Sequence, residues 1–108
     1  MTLLPTLRQK KRYLAFEIQC STPISVAEAK EEVNAGLLRF LGELGVAKSS
    51  PLFLEEKYKN NQGILKLNHK YVDEGKSALI LIKKIKNKPV IIRSLSVSGI
   101  LKKASAHL

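Results

Sequence analysis

The sequence predicts an α+β fold, a four-stranded antiparallel sheet with two helices on one face, and three observations carry that expectation. Apolar residues alternate at every second position over Arg12 to Cys20, then recur at three-to-four spacing from Val26 to Leu44. The same change of period returns in the second half, after the turn sequence Asn60-Asn61-Gln62-Gly63. The resulting order, β-α-β-β-α-β, is two half-units that close into one sandwich. With 108 residues, 44% of them hydrophobic and 26% charged, the chain suits a single domain over 1–108 with a real core.

Residues 1–11 read as an arm, with Pro5, scattered leucines and then a basic cluster, ahead of a core over 12–98 and a C-terminal helix or tail over 99–108. In the first strand, Leu14, Phe16, Ile18 and Cys20 share one face, while Tyr13, Glu17 and Gln19 share the other. Thr22-Pro23 breaks the strand, and Ser25 with Glu28 forms a capping box that satisfies free amides at a helix start. Val26, Ala29, Val33, Leu37, Phe40, Leu41 and Leu44 then give the helix its buried stripe, and Gly45 is expected to end it. Pro51 opens a second strand, Leu52 to Lys59, and the Asn-Gly turn returns the chain as a third, Ile64 to Leu67. Asn68 is the expected cap of a second helix whose stripe is Val72, Gly75, Ala78, Leu79, Ile82 and Ile85, with lysines crowding its C-terminal end. Asn87-Lys88-Pro89 leads into a last strand, Val90 to Val97, and Ile100 to Ala106 suits a short final helix.

This order is that of the ferredoxin-like (RRM-like) sandwich, whose usual strand order is 4-1-3-2. That order brings the start of strand one and the ends of strands three and four to one edge. The arm with Arg8, Lys10, Lys11 and Arg12, the Asn68-His69-Lys70 corner and the Ser98–Lys103 tail are therefore expected to converge, with Lys83 to Lys88 at the opposite edge. The charge makes this matter. All nine acids lie between Glu17 and Glu74, so twelve of the nineteen Lys and Arg residues sit beyond them without a counter-charge, and the net charge is +10. Such single-sign blocks repel themselves unless a polyanion receives them, and nucleic acid is the commonest polyanion.

Other chemistries are poorly supported. The third strand, Gly63-Ile64-Leu65-Lys66-Leu67, has no aromatic, and Tyr13 and Phe16 face opposite ways, so a base-stacking platform is missing. Backbone contact by Lys and Arg, which recognises charge and shape, stays open. An acylphosphatase-like site would require a cationic anion cradle after strand one, where this chain has Cys20-Ser21-Thr22-Pro23-Ile24. Cys20, His69 and His107 are too few for a zinc site, and Cys20 reads as a small hydrophobe of the first strand. No catalytic residue, metal site or cofactor of this chain's own is expected. The longest apolar run, Ala78 to Ile82, is far short of the ~20 residues of a membrane span. With a single cysteine and no secretory leader, a cytoplasmic location is expected.

Two tracts exceed what the fold needs. Ala78-Leu79-Ile80-Leu81-Ile82 covers more of the second helix than one sheet-facing stripe requires, which makes Ile80 and Leu81 candidates for a protein interface or for packing on the first helix. Ser98-Gly99, followed by Lys102 and Lys103, places backbone amides and charge where a phosphate can be received. With Arg93 on the same strand, the candidate RNA-contacting set is Arg8, Lys10, Lys11, Arg12, His69, Lys70, Arg93, Ser98, Gly99, Lys102 and Lys103.

Three tracts carry a resemblance: Arg12-Tyr13-Leu14-Ala15-Phe16-Glu17; His69-Lys70-Tyr71-Val72-Asp73 leading to Ala78-Leu79; and Ile91 to Gly99 with Lys102-Lys103-Ala104. In these the chain resembles the ribonuclease P protein component 2 family, the archaeal counterpart of a small eukaryotic ribonuclease P/MRP subunit. It departs at Ser96, where the family commonly has Gly, and at Ile100, where it commonly has Thr. The resemblance implies a subunit without an active site, in an enzyme whose RNA and its Mg2+ ions remove the 5′ leader from precursor tRNA. It further implies ribonuclease P RNA and a barrel-shaped protein subunit as partners, typically in a two-plus-two assembly, with precursor tRNA met indirectly. The main alternative is a stand-alone RNA-binding or ribosome-associated protein on the same fold.

Overall fold

The structure is a computed structural model and describes residues 11–99. The arm up to Lys10 and the expected final helix from Ile100 to Ala106 lie outside those residues. Strand β1 (Lys11–Gln19) leads to helix α1 (Val26–Ser49), a two-residue strand β2 (Leu52–Phe53) and strand β3 (Gln62–Asn68). Helix α2 (Val72–Ile80), a small hairpin of β4 (Lys84–Ile85) and β5 (Lys88–Pro89), and strand β6 (Ile91–Ser98) follow. The four longer-range strands form one antiparallel sheet in the order β2-β3-β1-β6, and β4-β5 stand apart as their own pair. The architecture is thus α+β, a four-stranded antiparallel sheet with two helices.

The alternation along β1 decides where the core sits. Leu14, Phe16 and Ile18 point into one cluster with Ala29, Val33 and Leu37 of α1, Ala78 and Leu79 of α2, and Leu65 and Leu67 of β3. Phe16 meets Phe53 at a tilted ring separation of 6.0 Å, and Phe53 meets Tyr58 at 5.9 Å, both within the favourable range for aromatic pairs. The intervening residues face away from the helices, yet Ala15 and Ile64 are fully buried there under Tyr13, Leu54 and Leu95. Leu95 reaches that cluster through a β-bulge: Ala15 pairs with Ser96 but Phe16 with Ser94, so β6 carries one extra residue between them.

Three elements differ from the sequence expectation. Helix α1 continues beyond Gly45 and is instead broken at Gly42, whose φ of 74° and ψ of 172° lie in a region open to glycine. The phase changes there, so beyond the break Leu44 is exposed and Val46 and Ser49 take up the buried side; Phe40, ahead of the break, is exposed as well, while Leu41 still packs on the core. Ser50, left-handed at φ 47°, caps the end and donates its amide to Val46 O. The second strand stops after two residues. Leu54 still donates to Ile64 O at 3.1 Å, but then Glu55–Lys57 curl into a 3-10 turn. That turn pairs Glu55 with Lys30 of α1 and swings Tyr58 under Phe53. Helix α2 ends at Ile80 rather than carrying its lysines onward. Extended as a helix, Lys84 and Lys88 would be like charges one turn apart. The chain instead reverses through Lys86 and Asn87, at φ 51° and 68°.

The predicted helix start is present. Ser25 Oγ accepts from Glu28 N at 3.2 Å, and Ser25 N reaches back to Glu28 Oε1. The predicted hairpin turn is present as well, with Asn60 and Asn61 both left-handed. Asn61 does more than turn the chain. Its Oδ1 accepts from Ile24 N at 2.7 Å and from Tyr58 Oη at 3.3 Å, its Nδ2 donates to Thr22 O, and its own carbonyl accepts from Ile18 N. Tyr58 Oη also lies 2.8 Å from Ile24 O, a second acceptor for the same phenol. Desolvation, with Glu28 nearby, pushes the Tyr58 phenol up to about 12.

Replacing Asn61 by Gly keeps the left-handed backbone but strands the buried Ile24 amide. Chemical denaturation is expected to show a loss of about 1–3 kcal/mol, the penalty of an unsatisfied buried donor; an unchanged midpoint would mean that water replaces the side chain. For Tyr58, the folded phenol keeps its proton to higher pH than the unfolded one, whose value is about 10. Its contribution to stability is therefore complete below about pH 10 and lost as pH rises towards about 12. A tyrosinate absorbance titration should show a late phase near pH 12 that the Tyr58→Phe variant lacks.

Candidate nucleic-acid interface

The sheet register builds a basic corner. Lys11 lies opposite Asn68 on β3, and Tyr13 lies opposite Ser98 on β6, so one end of β1 meets the ends of both neighbours. Arg12 sits between these two pairs. Its Nη1 donates to Lys11 O at 3.1 Å, and its guanidinium lies against Gly99, where a Cβ would stand 3.2 Å from Nη1. The bare backbone of Gly99 thus leaves the guanidinium its room, and a larger residue would push it aside.

Asn68 shapes the other wall of the corner. Although buried, its side chain is satisfied: Oδ1 accepts from Lys70 N at 3.0 Å and starts a 3-10 turn, His69–Tyr71, that runs into α2. The turn leaves Lys70 exposed and His69 half-buried. On the outer sheet face nearby, Lys66 Nζ stands 5.7 Å from the Tyr13 ring centroid. Lys11, Arg12, Lys66 and Lys70 have no carboxylate at ion-pair distance among the described residues. What the corner offers is a set of uncompensated cations around fixed backbone. Such a surface suits the chemistry of phosphate oxygens; it holds few of the side-chain amides and stacked rings that read bases.

Of the residues singled out from the sequence, Lys11, Arg12, His69, Lys70, Ser98 and Gly99 come together here. Arg93 does not. It lies five residues back along β6, paired across the strands with Glu17, whose Oε1 is 3.4 Å from Arg93 Nε. Arg8, Lys10, Lys102 and Lys103 lie outside the described residues. Lys66 is an addition to the corner, and the signal that could have found it was its place opposite Tyr13 in the antiparallel register.

A second surface lies on the helices. Ile80 and Leu81 are 53% and 55% exposed, so neither is core. Leu81 lines a shallow groove of about 150 Å³ between α1 and α2 with Gly36, Arg39, Phe40 and Ala78. Phe40, ahead of the break at Gly42, and Leu44, beyond it, are 45% and 67% exposed on the neighbouring helix. Adjacent exposed apolar groups of this size mark contact surfaces more often than isolated ones do.

Cys20 lies just past the end of β1 and packs against the core cluster. A hydrogen bond from the Thr22 backbone holds its thiol below the usual value, against a smaller desolvation in the opposite direction, with Lys88 adding a minor pull. Among the described residues no three His, Cys, Asp or Glu side chains gather to hold a metal ion, and no helix is long and apolar enough to cross a membrane.

Comparison with known proteins agrees with this geometry. The model of the Rpp14/Pop5 family matches residues 12–108. Ribonuclease P protein component 2 of Pyrococcus abyssi is 41% identical over 102 residues, 94% of this chain and 86% of that protein. Its namesake in Methanocaldococcus jannaschii is 40% identical over 103 residues, 95% of this chain and 75% of the relative. A chain in the cryo-EM structure of yeast Ribonuclease MRP superimposes with a TM-score of 0.68 at 15% identity, over 92% of this chain and 86% of that one, which shows a shared fold. A family match beginning at Arg12 and running through both walls of the basic corner leaves one conclusion: this chain belongs to the Rpp14/Pop5 family.

Proposed function

We propose that the chain is a protein subunit of ribonuclease P, the ribonucleoprotein that removes the 5′ leader from precursor tRNA. The observation that carries this reading is the family match, which covers every described residue of the basic corner except Lys11. In this reading Lys11, Arg12, His69, Lys70 and the Ser98-Gly99 backbone receive phosphates of the catalytic RNA. Arg8, Lys10, Lys102 and Lys103, close by in sequence, extend the same grip. Arg93, already engaged by Glu17, contributes less. The chain contributes no catalytic group; cleavage belongs to the RNA with its Mg2+ ions, in the cytoplasm.

The apolar surface of Ile80, Leu81 and Phe40 meets protein, and the barrel-shaped subunit of the same enzyme is the partner we assign to it, in a two-plus-two assembly. A helical sandwich that grips RNA at one corner and protein on its helices holds a folded RNA in place without reading its sequence. The ferredoxin-like description of the sandwich fits the same role.

Three measurements test this. Precursor-tRNA cleavage by the catalytic RNA with its other proteins should rise when this chain is added, and the chain alone should cleave nothing; equal rates with and without it would refute the assignment. Neutralising about five phosphates at the corner should contribute roughly −3.5 to −4.5 to the slope of log affinity against log salt, at about 0.7–0.9 per phosphate. Alanine at Arg12, Lys102 and Lys103 together should flatten it, and an unchanged slope would remove the corner from the interface. The Leu81→Glu variant should keep its folding stability within about 0.5 kcal/mol, as expected for an exposed site, while losing the protein partner in a pull-down.

A further inference from the structure

The β4–β5 hairpin carries charge that neither the fold nor the basic corner uses. Lys83 precedes it, and Lys84, Lys86 and Lys88 lie within it. It is held firmly: Ile85 is fully buried, Ile82 and Val90 are buried on either side, and Val90 N donates to Lys83 O at 2.9 Å to close its base. With Ile85 pointing inward, Lys84 and Lys86 project into solvent. Lys86 and Asn87 form the turn at φ 51° and 68°. Asn suits such a position, but a lysine there costs roughly 1–2 kcal/mol relative to an ordinary conformation. The tip of the hairpin therefore carries a cation in a backbone state that glycine or asparagine would adopt more readily. Glu31 of α1 partners Lys86 at 3.2 Å, with both side chains solvated. Lys83, Lys84 and Lys88 have no ion-pair partner among the described residues.

The hairpin also lies far from the basic corner. It feeds directly into Ile91, which pairs with Gln19 at one end of β1, whereas Ser98 pairs with Tyr13 near the other. Six steps along β1 from Tyr13 to Gln19, at about 3.3 Å each, separate the two ends by about 20 Å. One phosphate group cannot span that distance, so the two clusters engage different stretches of a polyanion.

We infer that the β4–β5 hairpin is a second phosphate-backbone contact, taking a different segment of the folded RNA from the one held at the Arg12–Gly99 corner. This rests on the ribonuclease P reading above. Lysine ammonium groups act as point charges suited to phosphate oxygens rather than to bases. A single anchor leaves a small protein free to pivot on the RNA. Two anchors, one at the end of the main sheet and one on the hairpin packed beside it, set its orientation, and with it the direction in which the helical surface faces.

The test uses the full chain and in-vitro transcribed ribonuclease P RNA, with salt-dependent binding and hydroxyl-radical footprinting as readouts. The Lys83→Ala, Lys84→Ala, Lys88→Ala triple variant is expected to lower the magnitude of the salt slope by about 2–3, at about 0.7–0.9 for each phosphate no longer neutralised. It is expected to lose protection over one RNA segment while keeping the segment that the Arg12→Ala variant loses. The single exposed change Lys84→Gln, which leaves the half-buried Lys88 stem in place, should lower the slope by about 1 if the triple variant does not fold. A variant slope and footprint equal to the parent's would overturn the second contact while leaving the subunit assignment intact. A defect seen only in partner-protein binding would do the same, and would assign the lysines to an acidic protein surface. Absence of any RNA binding by the parent chain would overturn both readings.

Discussion

The rest of the molecule depends on β1 being hydrogen-bonded along both of its edges. At its middle this strand is apolar on both faces, with Leu14, Ala15 and Phe16 three consecutive fully buried residues. Leu14 and Phe16 bind the sheet to the helices, while Ala15 seals the outer face with Ile64. Because the strand's period is two, a one-residue slip against either neighbour would exchange those faces. The register is therefore tightly specified, and with it the position of every residue at the strand ends. The meeting of Lys11, Arg12, Asn68 and Ser98 is a by-product of hydrophobic pairing in the middle of the sheet. Binding chemistry at the rim needs no separate organising force.

Asn61 secures the opposite end in a different way. Its side chain ties Thr22, Ile24 and Tyr58 together, so the connection between β1 and α1 is held by the hairpin that returns as β3. A loop with four small or polar residues in sequence, Cys20 to Pro23, would otherwise have little to fix it. The helix that follows is aimed by this bracket together with its capping box, and α1 then reaches the core with Ala29, Val33 and Leu37 correctly phased.

Much of this was legible in the sequence. Where a single local rule dominates, reading and structure coincide: alternation made β1, Ser25 with Glu28 started α1, and paired asparagines turned the β2–β3 connection. The differences arise where local rules compete. Gly42 and Gly45 are both plausible helix stops, and periodicity cannot choose between them; the left-handed Gly42 bends the helix and Ser50 ends it. Leu52 to Lys59 has strand composition, but burial of Tyr58 and the Glu55–Lys30 pair draw it into a turn. The Lys83–Lys88 tract has a helical apolar phase through Ile85, which the structure preserves by burying that residue from a hairpin instead. At the candidate site, the convergence of Arg12, Lys70 and Gly99 followed from element order. The isolation of Arg93 did not, since it turns on a cross-strand pairing with Glu17 fixed by the bulge.

That bulge has a consequence for how the chain meets copies of itself. Open sheets carry rows of unsatisfied amides and carbonyls along their outermost strands, and these are ready templates for runaway stacking of one molecule on another. Here one border, β2, offers only two residues. The other, β6, is long, but the additional Leu95 dislocates its ladder midway and breaks the straight run that a docking strand would require. Among the described residues, both margins are therefore poor templates for an added strand, while the exposed apolar groups of the helical face stay clear of them.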